Sequence, residues 1–388
     1  MKAPRYDLGA IFREYGVRFR TAHKISYGQA KVMRAIEICR TSDLGGHADK
    51  CDKCGHVEVS YNSCSNRHCP KCQGLGKLKW IDKIQNELLP VPYFHIIFTV
   101  PGTLNRLMLI NQKPMYDILF KAATDTLKML ATDTKYLGAE TGVLAVLHTW
   151  GQNLMDHPHI HTIVPAGGVD TKTGAWKNSS RKFFIPVKVI SRVFRGKFLQ
   201  SLKQAYNNNL LKFEGSIKPL KTKKSFQSLL DKLYALEWVV FAKKPFKNNA
   251  QVIKYLGNYT HRIAISNSRI INVEDNAVTF LWKDYRDKNK KKLMTLSINE
   301  FIRRFLLHVL PYRFYKIRYY GLFASRNKKS KLANCKKQLK AVIKNSSEKL
   351  TWQELLFKFT GFDVMKCPVC KKGQMKFFYN IPKVELTP

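Results

Sequence analysis

The pattern of apolar and polar residues divides the chain into segments of different kinds. Helical periodicity runs through the first 45 residues and returns between Gly74 and Leu89. Between them, the strip from His47 to Cys72 is polar, rich in cysteine and histidine, and has little apolar periodicity. A strip with so few apolar side chains must be held by something other than a hydrophobic core.

Runs of β-branched and aromatic residues predict a mixed segment further along the chain. The expected strands are 93–99, 143–149, 159–164 and 238–242. Helices are expected over 104–130 and 249–259, and three short strands with turns between them over 262–266, 269–273 and 277–282.

The charge narrows the possible functions. Among 388 residues, Lys and Arg number 68 and Asp and Glu 27, a net charge of +41. The segment 172–224 has 14 basic residues against one acidic residue, and 286–346 has 18 against two. An ordinary metabolic enzyme has no need of such an excess, whereas RNA, DNA or an acidic membrane would neutralise it. The aromatic content, 12%, is too high for the whole chain to be a disordered basic tail.

The start of the chain has no apolar stretch followed by a cleavage site, so no secretory signal is expected. The uncharged run 88–105 is interrupted by three prolines and is not expected to span a membrane. Nine cysteines without a secretion signal indicate metal binding or free thiols and not disulfides. A cytoplasmic protein is therefore expected.

Two Cys-x-x-Cys pairs predict a structural zinc site. Cys51 and Cys54 precede Cys69 and Cys72, and each pair could supply two thiolates to one tetrahedral ion. His47, His56, Cys64 and His68 lie in the same strip, and any of them could replace a thiolate or build a second site.

Further cysteines lie outside that strip. The pair Cys367 and Cys370 is half a zinc site, whose partners would come from elsewhere, for example from Cys64 and His68. The remaining two thiols, Cys39 and Cys335, are expected to be buried or incidental.

The run from His157 to His161 is the sharpest chemical feature. On a strand, His159 and His161 point to one face and Ile160 to the other. Two imidazoles at that spacing can chelate one divalent ion. A third ligand is expected, with Gln152 and His157 as candidates.

Tyr255 and Tyr259 lie four residues apart on an expected helix and therefore share one face. Tyrosines at this spacing more often pack than react. The neighbouring Lys254, His261 and Arg262 would nevertheless suit a phosphate near the same face.

These motifs occur together in an order that resembles the HUH-type, two-tyrosine rolling-circle transposases of bacterial insertion sequences, the IS91 family. The stretches that carry the resemblance are 61–72, 98–101, 148–153, 157–161 and 255–267. It extends from about residue 47 to about residue 320, and the C-terminal basic region is less diagnostic.

The resemblance implies an α+β fold. Residues 1–90 would form a helical and zinc-binding region, 91–285 an HUH nuclease domain with a central antiparallel sheet flanked by helices, and 286–388 a basic helical C-terminal region with the second cysteine pair.

The resemblance also implies a mechanism and partners. His159 and His161 would hold Mg²⁺ or Mn²⁺, and Tyr255 or Tyr259 would attack the phosphate of single-stranded DNA to give a 5′-phosphotyrosine. The substrates would be the ends of the element and its target, host replication proteins would be partners, and the protein would act at the nucleoid of a bacterium.

Other functions compete with this interpretation. A plasmid-type replication initiator would use the same chemistry, although the long zinc module argues mildly against it. A carboxylate-triad transposase needs three clustered acids, and the expected strands of this chain contain few acids. A non-enzymatic zinc protein that binds nucleic acid would leave the histidine and tyrosine pairs unexplained.

Overall fold

The computed structural model describes residues 6–179, 185–246, 248–259, 264–285, 287–341 and 350–384. Its helices are α1 Leu8–Ala22, α2 Tyr27–Glu37, α3 Gln73–Gln85, α4 Asn105–Ile110, α5 Gln112–Thr132, α6 Val187–Asn207, α7 Lys223–Ala235, α8 Asn249–Tyr259, α9 Ile298–Leu307, α10 Ala333–Gln338 and α11 Trp352–Thr360. Its strands are β1 Gly46–Cys51, β2 Val57–Tyr61, β3 Tyr93–Thr99, β4 Gly142–Trp150, β5 Asp156–Pro165, β6 Gly167–Val169, β7 Trp176–Asn178, β8 Val240–Phe246, β9 Ile270–Glu274, β10 Ala277–Asp284, β11 Lys290–Ser297, β12 Ile317–Gly321 and β13 Met375–Ile381.

A five-stranded antiparallel sheet forms the centre of the fold, with the strand order β12-β4-β5-β3-β8. Its middle strand, β5, carries the histidine run and lies between β4 and β3, whose residues are largely buried. Helices and antiparallel strands together confirm the expected α+β class.

The two faces of the central sheet differ. On one face Phe98, Leu147 and Ile160 pack with helices α5 and α6 in the largest apolar cluster, where Phe120 and Phe194 are fully buried. On the other face a smaller apolar cluster lies beneath helices α3 and α8 and covers only part of the sheet. The strand ends on this second face remain open to a cleft.

A second packing unit joins distant parts of the chain. Helices α1 and α2 share an apolar cluster with α9 and with the three-stranded sheet β11-β10-β9. Helix α2 begins with a capping box between Ser26 and Gln29, and Ser297 caps α9 through the Glu300 amide. The polar strip forms β1 and β2, and these two strands make a third sheet with β13.

Most predicted elements are present, with some differences. The expected strand 262–266 is not found in its described part, 264–266. The strands that were not predicted are β1, β2, β6, β7, β11, β12 and β13. The expected boundary at residue 285 falls inside a hairpin, because β10 pairs with β11 across it. Among the described helices, none is long and apolar enough to cross a membrane.

Candidate active site and cysteine clusters

Three imidazoles lie together on the open face of the central sheet. His159 and His161 come from β5, and His148 lies on β4 directly opposite His159. One ring nitrogen of each lies within 4.8 Å of those of the others. Ile160 packs into the apolar cluster on the other face, so the predicted alternation is confirmed.

The surroundings of His159 and His161 keep these two imidazoles neutral. Burial lowers the pKa of His159 to about 4, and it lowers the pKa of His161 well below the usual 6.5. Nδ1 of His159 donates to the carbonyl oxygen of His157 at 2.7 Å, because a carbonyl can only accept. The tautomer is therefore fixed with the lone pair on Nε2, as a metal ligand requires.

The hydroxyl of Tyr255 lies beside this histidine cluster. Its oxygen is 2.8 Å from Nδ1 of His161 and 2.9 Å from Nε2 of His95, a buried histidine on β3. These two ring nitrogens are themselves 2.9 Å apart. A phenolic hydroxyl can donate to one nitrogen and accept from another, so two imidazoles fix its position.

Helix α8 holds Tyr255 in place by packing closely on α3. Val252 is fully buried, and a Cβ at Gly257 would lie 2.7 Å from Cδ1 of Ile81. Glycine therefore allows the two helices to approach at this point.

The other predicted phosphate-site residues are not described in the same detail. The side chains of Lys254 and Tyr259, and residues His261 and Arg262, lie outside the described residues.

A cleft of about 1140 Å³ opens over the histidines and Tyr255. Its cationic lining residues are Lys243, Arg269 and Lys283, and its aromatic lining includes Trp150, Trp282 and Tyr285. Nζ of Lys243 lies 5.8 Å from the centre of the Tyr255 ring. Cations and aromatic rings around a tyrosine hydroxyl suit phosphates and unpaired bases.

The loop between β4 and β5 is fastened by the second packing unit. Three consecutive backbone carbonyls accept from Arg269, Arg304 and His308, at Gln152, Asn153 and Leu154 respectively. Nδ1 of His308 in turn accepts from the hydroxyl of Thr149. The loop that forms one wall of the cleft is therefore fixed by side chains from α9 and the segment before β9.

The third imidazole of the cluster is His148, which the sequence did not single out as a ligand. Gln152 lies in the loop beyond β4, lines the same cleft, and donates from Nε2 to the hydroxyl of Tyr285. His157 offers its carbonyl to His159 and is more exposed than the other two histidines of β5, although its ring lines the same cleft and lies 5.1 Å from the ring of His159. Strand β4 pairs with β5, and the register of this pairing places His148 opposite His159.

The cysteines form two clusters, and their grouping corrects the expected one. Cys69 and Cys72 lie with Cys64 and Cys39, with Sγ–Sγ distances of 3.4 to 3.6 Å where they are nearest. Cys39 follows α2 and is buried, which was one of the two expected alternatives, a buried or an incidental thiol, but its place in a cysteine cluster was not expected. It lies here because α2 packs against the strip that carries the other three.

The first Cys-x-x-Cys pair belongs to the other cluster. Cys51 and Cys54 lie with Cys367 and Cys370, and not with Cys69 and Cys72. Strand β13 runs antiparallel to β1 and brings the two distant pairs together.

His68, a candidate ligand in the sequence, has a different role. Its Nε2 accepts from the backbone amide of Leu310 at 3.1 Å, and its Nδ1 faces the side-chain oxygen of Asn66. Both ring nitrogens are therefore used in hydrogen bonds, and His68 does not take part in either cysteine cluster.

Sequence reasoning missed three residues of these sites. His95 lies in a run of apolar residues that predicts a buried strand, so it resembled an ordinary core histidine. His148 ends a similar run, and Cys39 is a single thiol at the end of a helix. Alternation within β3 and within β4 predicts which residues of the same strand share a face with His95 and with His148. Only the order of the strands shows that both histidines lie on the face of the sheet that carries His161.

Comparisons with known proteins find transposases. Residues 142–331 match a family model described as "Putative transposase", and residues 11–100 match a "Transposase zinc-binding domain" model of the IS91 type. The chain is 45% identical over 373 residues to "Putative transposase y4qJ" of Sinorhizobium fredii, covering 95% of this chain and 94% of that protein.

A second relative is more distant. The chain is 30% identical over 346 residues to the "Transposase for insertion sequence element IS801" of Pseudomonas savastanoi pv. phaseolicola, covering 88% of this chain and 82% of that one. No solved structure matches the chain. The zinc-binding match and the cysteine clusters together suggest structural zinc.

Proposed function

Because the chain belongs to the IS91 family of transposases, we propose that it nicks and rejoins single-stranded DNA at the ends of its element and at the target. Strand transfer would proceed through a 5′-phosphotyrosine on Tyr255, and Tyr259 would serve in a second transfer. Host replication proteins that act on the displaced strand would be its partners at the nucleoid.

One observation carries this proposal. The hydroxyl of Tyr255 lies within 2.9 Å of nitrogens of His95 and His161, beside the imidazoles of His148 and His159. A tyrosine held at hydrogen-bonding distance from a potential metal-binding cluster, in an open cationic cleft, has the position of a nucleophile. A tyrosine that only packs would not need two imidazoles around its oxygen.

The residues of the chain account for the chemical step. The Tyr255 oxygen forms a bond to phosphorus as the bond from phosphorus to the 3′ oxygen breaks. The phenol gives up its proton and the 3′ oxygen gains one, so one phosphodiester replaces another and no nucleotide is consumed. His95 and His161 orient the hydroxyl, and the positive charge of Lys243 near the ring favours the phenolate.

The donor set fits a divalent ion. His148, His159 and His161 would hold it, and the ion would polarise the scissile phosphate. Three imidazoles suit Mn²⁺ better than Mg²⁺, which prefers oxygen ligands. We therefore infer that nicking is supported better by Mn²⁺ than by Mg²⁺ at equal concentration.

The basic segments would hold the DNA strand. Lys243, Arg269 and Lys283, which lie outside those segments, add positive charge at the cleft. Lys and Arg neutralise phosphates, while aromatic rings stack on bases. Trp282 and Tyr285 provide such rings on the hairpin of β10 and β11.

A nicking assay tests the proposal. Single-stranded DNA from an element end, labelled on the 3′ side of the nick, is incubated with protein and Mn²⁺ and then denatured. The label should remain covalently on the protein, on the peptide that contains Tyr255. Binding without cleavage under these conditions would instead favour a non-enzymatic DNA-binding protein.

A further inference from the structure

The cysteine pairs near the two ends of the chain have the geometry of a single metal centre. Sγ of Cys51 lies 3.7 Å from that of Cys370, and Sγ of Cys54 lies 3.7 Å from that of Cys367. All four sulfurs lie within 4.8 Å of one another. Tetrahedral zinc with bonds of about 2.3 Å to sulfur requires sulfurs about 3.8 Å apart, whereas a disulfide requires about 2.05 Å.

The backbone around these thiols is arranged to favour thiolates. The amides of Lys53 and Cys54 each point at Sγ of Cys51 at 3.5 Å, and the amide of Gly373 points at Sγ of Cys370 at 3.3 Å. Amide donors stabilise a thiolate and orient it towards a metal. A Cβ at Gly373 would lie 2.4 Å from Sγ of Cys51, so the turn after Cys370 leaves space for the sulfur only because it is glycine.

The strands around the site cannot form this arrangement by apolar burial alone. Strand β13 pairs with β1 from Gly46 opposite Ile381 to Cys51 opposite Met375. The apolar cluster beneath them contains Cys51, Cys367 and Met375, with Cys370 at its edge, so most of it is the sulfur of the site itself. Such small modules obtain most of their folding free energy from the metal.

We propose that Cys51, Cys54, Cys367 and Cys370 hold a second structural zinc, which joins the C-terminal segment to the N-terminal module as one unit. This centre is distinct from the one that Cys39, Cys64, Cys69 and Cys72 would form. Two of its four ligands lie outside the matched zinc-binding domain, which ends at residue 100. The N-terminal module is therefore incomplete without the last part of the chain.

Zinc counting on the full-length protein tests the proposal by non-additivity. Replacing Cys367 and Cys370 by serine should remove one zinc per chain, and replacing Cys51 and Cys54 should remove the same one. The variant with all four replacements should then lose one zinc and not two. A loss of two in that variant, or a wild-type count after replacing Cys367 and Cys370, would overturn the proposal.

Two controls keep the test independent of folding. Cys335→Ser removes a buried thiol that belongs to neither cluster and should keep the full zinc count. Cys370→His should also keep it, because three cysteines and one histidine form a common zinc site.

Hydrogen exchange should report the link directly, since Cys367→Ser should speed exchange of the amides of β1. Unchanged exchange there, together with retained zinc, would contradict the joining of the ends.

Discussion

Tyr255 is the residue whose position gives the strongest support for the proposed strand-transfer chemistry. Tyr255→Phe removes the oxygen and keeps the ring that packs against Phe246. We expect the covalent adduct to fall by at least about a hundredfold, while binding to single-stranded DNA stays within about twofold. The measurement is the fraction of label that remains on the protein after denaturation.

A second tyrosine provides the matched control. Tyr312→Phe makes the same change at an exposed side chain that does not line the cleft, and it should leave adduct formation unchanged. An equal loss in both variants, or an undiminished adduct in Tyr255→Phe, would mean that Tyr255 is not the nucleophile.

The histidines divide into those that would bind the ion and one that would orient them. His148→Ala removes a ligand and should lower Mn²⁺ affinity by more than about a hundredfold. His95→Gln changes a partner of His161 and should lower it by only about ten- to a hundredfold. Calorimetric titration of Mn²⁺ into the zinc-loaded protein measures both.

His23→Ala is the control for this titration, because His23 stacks on Phe19 at the end of α1, outside the cleft. Equal Mn²⁺ affinity in His148→Ala and His23→Ala would remove His148 from the site. A smaller loss of Mn²⁺ affinity in His95→Gln than in His148→Ala would identify His95 as a positioning residue, because its removal would weaken the site without removing a ligand.

At the scale of elements, His308 connects helix α9 with the loop of the site. Both of its ring nitrogens are engaged in the neutral form, and burial lowers its pKa to about 4. An unfolded chain takes up the proton below about pH 6.5. The neutral form therefore stabilises the fold fully above pH 6.5, and this contribution is lost as the pH falls towards 4.

His308→Gln should reveal this contribution. The difference in free energy of unfolding between wild type and variant should shrink on acidification by up to about 1.4 kcal/mol per pH unit between 6.5 and 4. Denaturant titrations over this range measure it. A difference that does not vary with pH would show that His308 titrates equally in both states.

The comparison of sequence and structure is most informative at this scale. Strand β3 was predicted at its exact bounds, and the face shared by His159 and His161 follows from alternation alone. Alternation does not predict the order of the strands, and this order places His148 and His95 beside His159 and His161. Likewise, Cys-x-x-Cys spacing identified candidate ligands, but the pairing of β1 with β13 decides which of these cysteines meet.

At the scale of the whole molecule, the charge of +41 makes DNA binding strongly dependent on salt. For single strands, the slope of log affinity against log salt changes by about 0.7 for each phosphate contact. Lys283→Gln removes an exposed cation of the cleft and should make this slope shallower by about that amount.

Binding titrations at several salt concentrations measure the slope. Lys113→Gln is the control, because Lys113 lies on α5 against the opposite face of the sheet and pairs with Asp117. An identical slope in wild type and Lys283→Gln would place the DNA strand elsewhere than along the cleft.

The antiparallel pairing of β1 with β13 also orders events during synthesis. Cys370 is added 316 residues after Cys54, which at about 5–20 residues per second is a delay of roughly 16–63 s. The strands of the central sheet, which end with β12, are all translated within that interval. A chain released before Cys370 would thus contain the whole central sheet and an unclosed first module. Completion of the module would report that translation has passed Cys370.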